Sequence, residues 1–309
     1  MNIISFNSKQ HLSFRPLITI GMFDGVHLGH QLLLNTLKEK AEKLKAKPLI
    51  ITFDNHPKQV LDPNYDIKLL QTKEERLEKL SSLGFDRIVL IHFDKSFSKL
   101  SAEDFITILQ QKYNPKLILL GYDNQIGNRD SSLDSEYIMD KRKDLIIERM
   151  SLCVKVDDID VSSTKIRNAL LKGDIPLANK LLGEDYSFSS TIISGDKIGR
   201  ELGVPTANLE VFPEKLLPLS GVYFSELLVE GKEKYNSVTS IGIRPTLEKT
   251  EKRIEVHILD KNIDLYGKKV KLRLKDFLRE EKKFDNLELL KQAINKDVLI
   301  AKEYFSKNE

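Results

Sequence analysis

The hydrophobic pattern of this 309-residue chain changes character once, near residue 186, and that change limits what it can fold into. Before it, short apolar runs alternate with amphipathic stretches. The runs read as buried strands over Leu17–Ile20, Leu49–Phe53, Arg87–Phe93, Lys116–Leu120 and Leu152–Val156. The stretches between them have helical spacing. One starts at about Leu28 and runs through QLLLNTLKEKAEKLK. A second, KEERLEKLSSLG, closes on Gly84. A third, SAEDFITILQQKY, opens with Ser101 and Asp104 spaced as a capping pair. Strands alternating with helices imply a parallel sheet in three layers. Two short helical pieces, STKIRNALLKG and IPLANKLLG, end this half with glycines where helices stop. After residue 186 come strand-like runs with turns between them: SFSSTIIS, GVYFSELLVEG, YNSVTSIGIR, RIEVHILD and KKVKLRLKDFLR. Their spacing points to a small antiparallel barrel or sandwich. The closing stretch, NLELLKQAINKDVLIAKEYF, is helical and apolar on one face. The boundary falls around Gly183–Tyr186, which gives domains 1–183 and 184–309.

Hydrophobic residues at 40% and charged residues at 31% describe a globular chain. A net charge of +3 is too small for the dense basic surface that holds nucleic acid. An anionic ligand must therefore be met by a local constellation. No apolar run approaches the roughly 18 residues of a membrane span. The start, MNIISFNSKQHLSFR, lacks the basic-then-apolar order of a signal peptide. The single cysteine, Cys153 in SLCVKV, cannot form an internal disulfide and reads as a small buried apolar residue. These features predict a cytoplasmic enzyme acting on small molecules, with no nucleic acid, membrane or obligate protein partner.

The stretch TIGMFDGVHLGHQLLL, Thr19 to Leu34, follows the first predicted strand directly. Glycines there let the backbone approach a ligand closely. A helix starting there aims amide hydrogens and a partial positive charge at it. His27 and His30, three apart with Gly29 between, add donors. A phosphate-rich ligand suits all of these features.

HxGH resembles the signature of the nucleotidylyltransferase superfamily, and GMFDGVHLGH is similar to the N-terminal module of the bacterial bifunctional riboflavin kinase/FAD synthetase family. That family's second signature is a serine-rich turn opening a helix and ending in arginine, and VSSTKIR, Val161 to Arg167, matches it. The resemblance implies a Rossmann-like α/β domain that transfers AMP from ATP to FMN, giving FAD and pyrophosphate. It assigns the nucleotide to Gly21, Phe23, Asp24, Gly25, Gly29, Asp123, Ser163, Thr164 and Arg167, with His27 and His30 catalytic. TFDNHP matches a family segment that places His56 and Pro57 in the flavin cleft, although a structural turn explains the pair nearly as well. One loop departs from the family. Within GYDNQIGNRD, Gly121, Asp123 and Gly127 remain. Asn124, Gln125 and Ile126 stand where an aromatic or histidine, an arginine and a phenylalanine are expected, and Arg129 is a possible replacement charge. Met22 stands where asparagine is common. These departures raise the expectation of weaker or differently tuned adenylylation.

In the second half, SGDKIGRELGVPTANLE, Ser194 to Glu210, sets glycines around a lysine and an arginine. By composition alone it suits either a polar hairpin or a phosphate-covering loop. Thr206 and Asn208, two apart on an extended segment, offer neutral oxygens to one side. Glu255 and His257, in IEVHILD, share a face in the same way. GDxxGRxLGxPTAN resembles the opening motif of riboflavin kinase, which implies a six-stranded antiparallel barrel with terminal helices. The resemblance gives ATP to Gly195, Lys197, Gly199, Arg200, Gly203, Thr206 and Asn208. It gives Mg²⁺ to Thr206 and Asn208, the general base to Glu255, and flavin contact to Arg279. An exposed strand-end arginine is the rival explanation of Arg279. The implied course is riboflavin to FMN in the second domain, then FMN to FAD in the first. Two other readings stay open. One is a riboflavin kinase with weakened or lost FAD synthetase activity. The other is a non-catalytic regulator that binds flavin and nucleotide.

Overall fold

Six strands of the first half line up as one sheet: β1 (Asn2–Ser5), β2 (Pro16–Ile20), β3 (Lys47–Phe53), β4 (Arg87–Ile91), β5 (Leu117–Leu120) and β6 (Ile146–Arg149). Their order is β1-β4-β3-β2-β5-β6 and every pairing is parallel. The computed structural model describes the chain apart from residues 1, 9–11, 63, 123–125, 127–143, 196–202, 246–249, 262 and 309. It divides into two units, residues 1–162 and 163–309.

In the first unit the central strands β2 to β5 are apolar on both sides because both sides are covered. Ile18, Ile20, Leu49 and Ile51 pack against Ile106 and Leu109 of α4 (Ala102–Tyr113). Leu17 and Ile50 face the other way. They meet Leu34 and Leu37 of α1 (Leu28–Lys43), and Leu77 and Leu80 of α3 (Lys73–Ser82). Thr72 and Glu75 close α3 with a reciprocal capping box, and Ser101 caps α4 by accepting from the Asp104 amide at 3.0 Å. A five-residue helix, α2 (Pro57–Leu61), follows β3. From β2 the chain runs outward through β3 and β4 on one side and through β5 and β6 on the other. The order therefore reverses between β2 and β5, where open parallel sheets bind ligands beyond their carboxyl ends. GMFDGVHLGH leaves β2 at that point, and GYDNQIG leaves β5.

Two expectations from the sequence are corrected here. β1 lies in MNIISF, which carried no periodic signal long enough to read as a strand. The last strand of the sheet is Ile146–Arg149, not Leu152–Val156. Leu152 is 70% exposed and Cys153 is exposed rather than buried. The alternation in SLCVKV belongs to a loop and to β7 (Lys155–Val156), which pairs only with β8 (Ile159–Asp160). Asp157 and Asp158 turn that ribbon with φ of 49° and 61°, in the left-handed region that Asp tolerates.

The second unit is a closed antiparallel barrel: β9 (Ser187–Ile193), β10 (Ala207–Leu209), β11 (Gly221–Val229), β12 (Glu233–Pro245), β13 (Thr250–Ile258) and β14 (Lys269–Glu280). They close in the order β10-β13-β12-β11-β14-β9. Tyr223, Leu227, Ile241, Ile254, Val256 and Leu272 fill its interior. Three buried hydroxyls also point inward and satisfy one another, Ser225 meeting Ser237 at 2.8 Å and Thr239 at 2.7 Å. Before the barrel come α5 (Ser163–Leu171) and α6 (Ile175–Leu182). The Asn179 side chain on α6 donates to the Leu274 carbonyl at 2.9 Å and accepts from the Tyr186 amide at 2.7 Å.

The terminal helix, α7 (Leu287–Lys307), lies on the outer wall. Val222, Phe224 and Val238 point outward beneath its Val298, Ala301 and Tyr304. The Phe224 and Tyr304 rings stack at 4.0 Å with 3° between planes. Phe224→Ala is predicted to destabilise this unit by about 3–5 kcal/mol, the cost of emptying a large buried aromatic site. A chemical-denaturation midpoint for the barrel that did not move would contradict this account of how α7 is held.

Candidate active sites

The first candidate site is the corner between β2 and α1. Phe23, Gly25 and Val26 take φ of 52°, 84° and 39°, so the chain leaves the strand by a tight left-handed path. Phe23 and Val26 are buried and anchor it. Asp24 is buried too, and its carboxylate accepts the amides of Leu70, at 2.9 and 3.1 Å, and Gln71, at 3.2 Å. The residue assigned to nucleotide thus ties the corner to the segment that opens α3. Gly21 lies against the Phe23 ring, which a β-carbon would approach to 3.1 Å.

His27 caps α1. Its Nδ1 accepts the His30 amide at 3.3 Å, which leaves the neutral ring's proton on Nε2. The two imidazoles stack at 3.6 Å with 15° between planes. Gly29 makes room for this: a β-carbon there would sit 3.2 Å from the His27 ring and 3.9 Å from the Val161 carbonyl. The residue that opens VSSTKIR therefore runs past the start of α1. Ser163, Thr164 and Arg167 follow on α5, in the second unit.

A buried guanidinium, which no helical pattern distinguished from a solvated one, stands behind this corner. Arg76 on α3 is fully buried and donates to the Phe53 carbonyl, with Met22 Sδ at 3.6 Å. Asp24 is the largest of the acidic charges that oppose its desolvation. His30 is held well below the ordinary imidazole value of 6.5, first by desolvation and then by the charges of His27 and Arg76. Burial thus favours the neutral form of the His30 ring.

Further along the same sheet edge, His56 is buried and caps α2, its Nδ1 accepting the Lys58 amide at 3.2 Å, with Pro57 in the first turn. The turn reading of this pair is therefore satisfied whether or not flavin touches it. Asn55 pairs with the backbone of Phe93, and His92 meets Asp54 at 3.0 Å. At the end of β6, Arg149 donates to the Gly121 and Tyr122 carbonyls at 3.2 and 3.4 Å. Asp123 lies outside the described residues, as do Asn124, Gln125, Gly127 and Arg129. Ile126 packs onto the α4 side of the sheet.

The second candidate site is on the barrel's outer wall, and strand register builds it. Asn208 is paired with Glu255, Glu255 with Ser240, Ser240 with Val222, and Val222 with Arg279. Directly opposed residues of antiparallel strands project to the same face. The neutral oxygen donor, the carboxylate and the arginine assigned from sequence thus fall in one row across five strands. Beside Asn208 opens a cleft of about 230 Å³ lined by Gly195, Thr206, Ile258, Lys261, Leu265 and Tyr266, among others. Asn208 packs so closely on Gly195 that a β-carbon there would lie 2.1 Å from its side-chain nitrogen. Gly203 takes a φ of +79°. Lys197, Gly199 and Arg200 lie outside the described residues. His257 Nδ1 is 2.8 Å from the Pro205 carbonyl, so it braces the segment before Thr206.

At the far end of the row Arg279 is engaged by a partner that the sequence did not reveal. Asp297 of α7, 4% exposed, accepts from Arg279 Nε at 2.9 Å and from its terminal nitrogen at 2.7 Å. Arg279 is therefore not the exposed strand-end arginine of the rival explanation: it is part-buried and held by Asp297. Asp297 was hidden because a carboxylate in a helix reads as solvated.

The depressed His30 pKa has a consequence for stability. The unfolded ring binds its proton near pH 6.5, whereas the folded ring resists it until lower pH. Stability is therefore fully present above about pH 6.5 and falls as acidification carries the chain toward the folded-state pKa. Unfolding midpoints of the first unit are predicted to drop between pH 7 and 5, and to drop less in His30→Gln. Parallel slopes in the two chains would contradict the shift.

Comparison with known proteins finds a match in each half of the chain. An FAD synthetase family model matches residues 10–165, and a riboflavin kinase family model matches residues 182–305. The bifunctional riboflavin kinase/FMN adenylyltransferase of Buchnera aphidicola from Schizaphis graminum is 39% identical, over 98% of each chain. That of Escherichia coli K12 is 32% identical, over 93% of this chain and 92% of its own. A solved Streptococcus pneumoniae structure, titled as a macrolide-efflux protein, superposes with a TM-score of 0.86 at 29% identity, covering 97% of this chain and 98% of that one. Among the described residues no helix of this chain is long and apolar enough to cross a membrane. The chain belongs to the bifunctional riboflavin kinase/FMN adenylyltransferase family.

Proposed function

We propose the following division of the family's two activities over this chain. Residues 184–309 phosphorylate riboflavin with ATP to FMN, and residues 1–183 adenylylate FMN with a second ATP to FAD and pyrophosphate. The unmatched stretch between the two family models supports a functional boundary near 183. The helices α5 and α6 then serve the first activity in sequence while belonging to the second structural unit.

In the kinase reaction the riboflavin 5′-hydroxyl gives its proton to Glu255. Its oxygen attacks the γ-phosphorus of ATP, the bond to the β-phosphate oxygen breaks, and ADP leaves. The observation that carries this reading is the pairing of Glu255 with Asn208 on one face, beside a cleft that Ile258, Leu265 and Tyr266 help to line. Thr206 and Asn208 present neutral oxygens, and Gly195 leaves room for Asn208. Such a donor set fits Mg²⁺, which keeps waters and phosphate oxygens in most of its positions. When bound it would neutralise charge on the ATP phosphates. Lys197, Gly199, Arg200 and Gly203 are assigned to covering those phosphates, and Arg279 to the flavin.

In the adenylyl transfer an FMN phosphate oxygen attacks the α-phosphorus of the second ATP, and the α–β bond breaks. No side chain needs to become a nucleophile. The α1 amino end and the His27 Nε2–H meet growing charge on the phosphates. Gly21, Phe23, Asp24, Gly25 and Gly29 shape that corner. Ser163, Thr164 and Arg167 are assigned to the departing pyrophosphate, with Asp123, His56 and Pro57 nearer the nucleotide and flavin. The compartment consistent with both substrates is the cytoplasm.

His27→Ala is predicted to lower FAD formation from FMN roughly 10²- to 10³-fold and to leave FMN formation intact. Glu255→Gln should lower FMN formation roughly 10²- to 10⁴-fold and spare FAD formation from supplied FMN. Product chromatography reads both, and one substitution abolishing both activities in a folded chain would contradict the division. Gly195→Ala forces Asn208 aside. It should raise the ATP KM of the kinase step alone, and an unchanged KM would remove Asn208 from the nucleotide site.

A further inference from the structure

We propose that Ser240 is a substrate-positioning residue of the kinase site, its hydroxyl hydrogen-bonding the ribityl chain of riboflavin. The inference rests on the kinase reading above and extends it to a residue with no role so far.

In-line transfer fixes the directions. The attacking oxygen and the leaving oxygen must lie on opposite sides of the γ-phosphorus. Asn208 and its cleft stand on one side of Glu255 and hold the nucleotide, so the alcohol must arrive from the other. The residue on that side is Ser240, paired directly with Glu255. Adjacent strands are about 4.8 Å apart, so the carbons next to the reacting one pass over Ser240. Beyond it the wall closes, because Val222 is 6% exposed beneath α7.

The chemistry of β12 points the same way. Its other hydroxyls near this row, Ser237 and Thr239, face the barrel interior and are bonded to Ser225. Ser240 points outward, is half-buried, and its hydroxyl has no hydrogen bond among the described residues. A neutral donor and acceptor, beside the base and short of the covering helix, matches a polyhydroxylated chain in a way that an apolar or charged residue would not.

Ser240→Ala should raise the riboflavin KM about fivefold, the loss of one neutral hydrogen bond, with kcat within twofold. Ser240→Thr, which keeps the hydroxyl, should recover most of that loss. Riboflavin analogues lacking one ribityl hydroxyl at a time provide the test that a structural role would not pass. One analogue should lose about the same factor with the unmodified chain and nothing further with Ser240→Ala. Adenylylation of supplied FMN and the thermal midpoint should not move. An unchanged KM in Ser240→Ala, or analogues that lose as much with the variant as with the unmodified chain, would overturn the inference and leave the kinase reading standing. An unmodified chain that formed no FMN would overturn both.

Discussion

Strand register is the constraint from which both sites follow. A slip of one residue turns every side chain of a strand to the opposite face. In the barrel, Ile254, Val256 and Ile258 face inward, and this alone sends Glu255 outward. The same alternation on β10 and β12 places Asn208 and Ser240 beside it. Side chains fill the barrel interior, so the row of Asn208, Glu255 and Ser240 stands on the outer wall, and the cleft beside Asn208 reaches the inward-facing Val256 and Ile258. The parallel sheet solves the opposite problem. All its carboxyl ends share one edge, and the reversal of order between β2 and β5 opens that edge for a ligand.

The family's substrates include the polyanions ATP and FMN, yet the chain carries a net charge of only +3. Charge is therefore supplied where it is used. At the β2–α1 corner the groups offered to a phosphate are a helix terminus and two imidazoles, one capping the helix and one whose neutral form burial favours. Arg76 adds a full positive charge behind them, but it is balanced by Asp24 and bonded to the backbone. Asp24 and Arg76 clamp the corner from below: the first secures the start of α3, and the second secures the end of β3. Donors that are already oriented suit a reaction in which charge is redistributed among phosphates rather than created.

Much of this was legible in the chain. The βα alternation, the capping residues Thr72 and Ser101, five of the six barrel strands and the terminal helix all carry local signals. So do HxGH and PTAN, because glycines and paired polar residues at strand ends have few structural uses. The rest depended on partners distant in sequence. β1 is four residues long and exists because β4 offers it an edge. The SLCVKV alternation does not extend the parallel sheet: its last two residues pair instead with Ile159–Asp160 in a two-stranded ribbon. β10 is three residues long and is defined by its pairing with β9 and β13. Arg76 and Asp297 resemble solvated charges in their own helices, and only packing shows them buried. Ser240 is one serine among several on β12, and its distinction lies wholly in being opposite Glu255.

The central claim is that one chain breaks ATP at two different bonds in two different places. Nonhydrolysable analogues address it directly. With α,β-methylene ATP the account predicts that riboflavin is converted to FMN and no FAD forms. With β,γ-methylene ATP it predicts that supplied FMN becomes FAD while riboflavin is untouched. Either analogue supporting both steps, or the reverse assignment of the two, would contradict it.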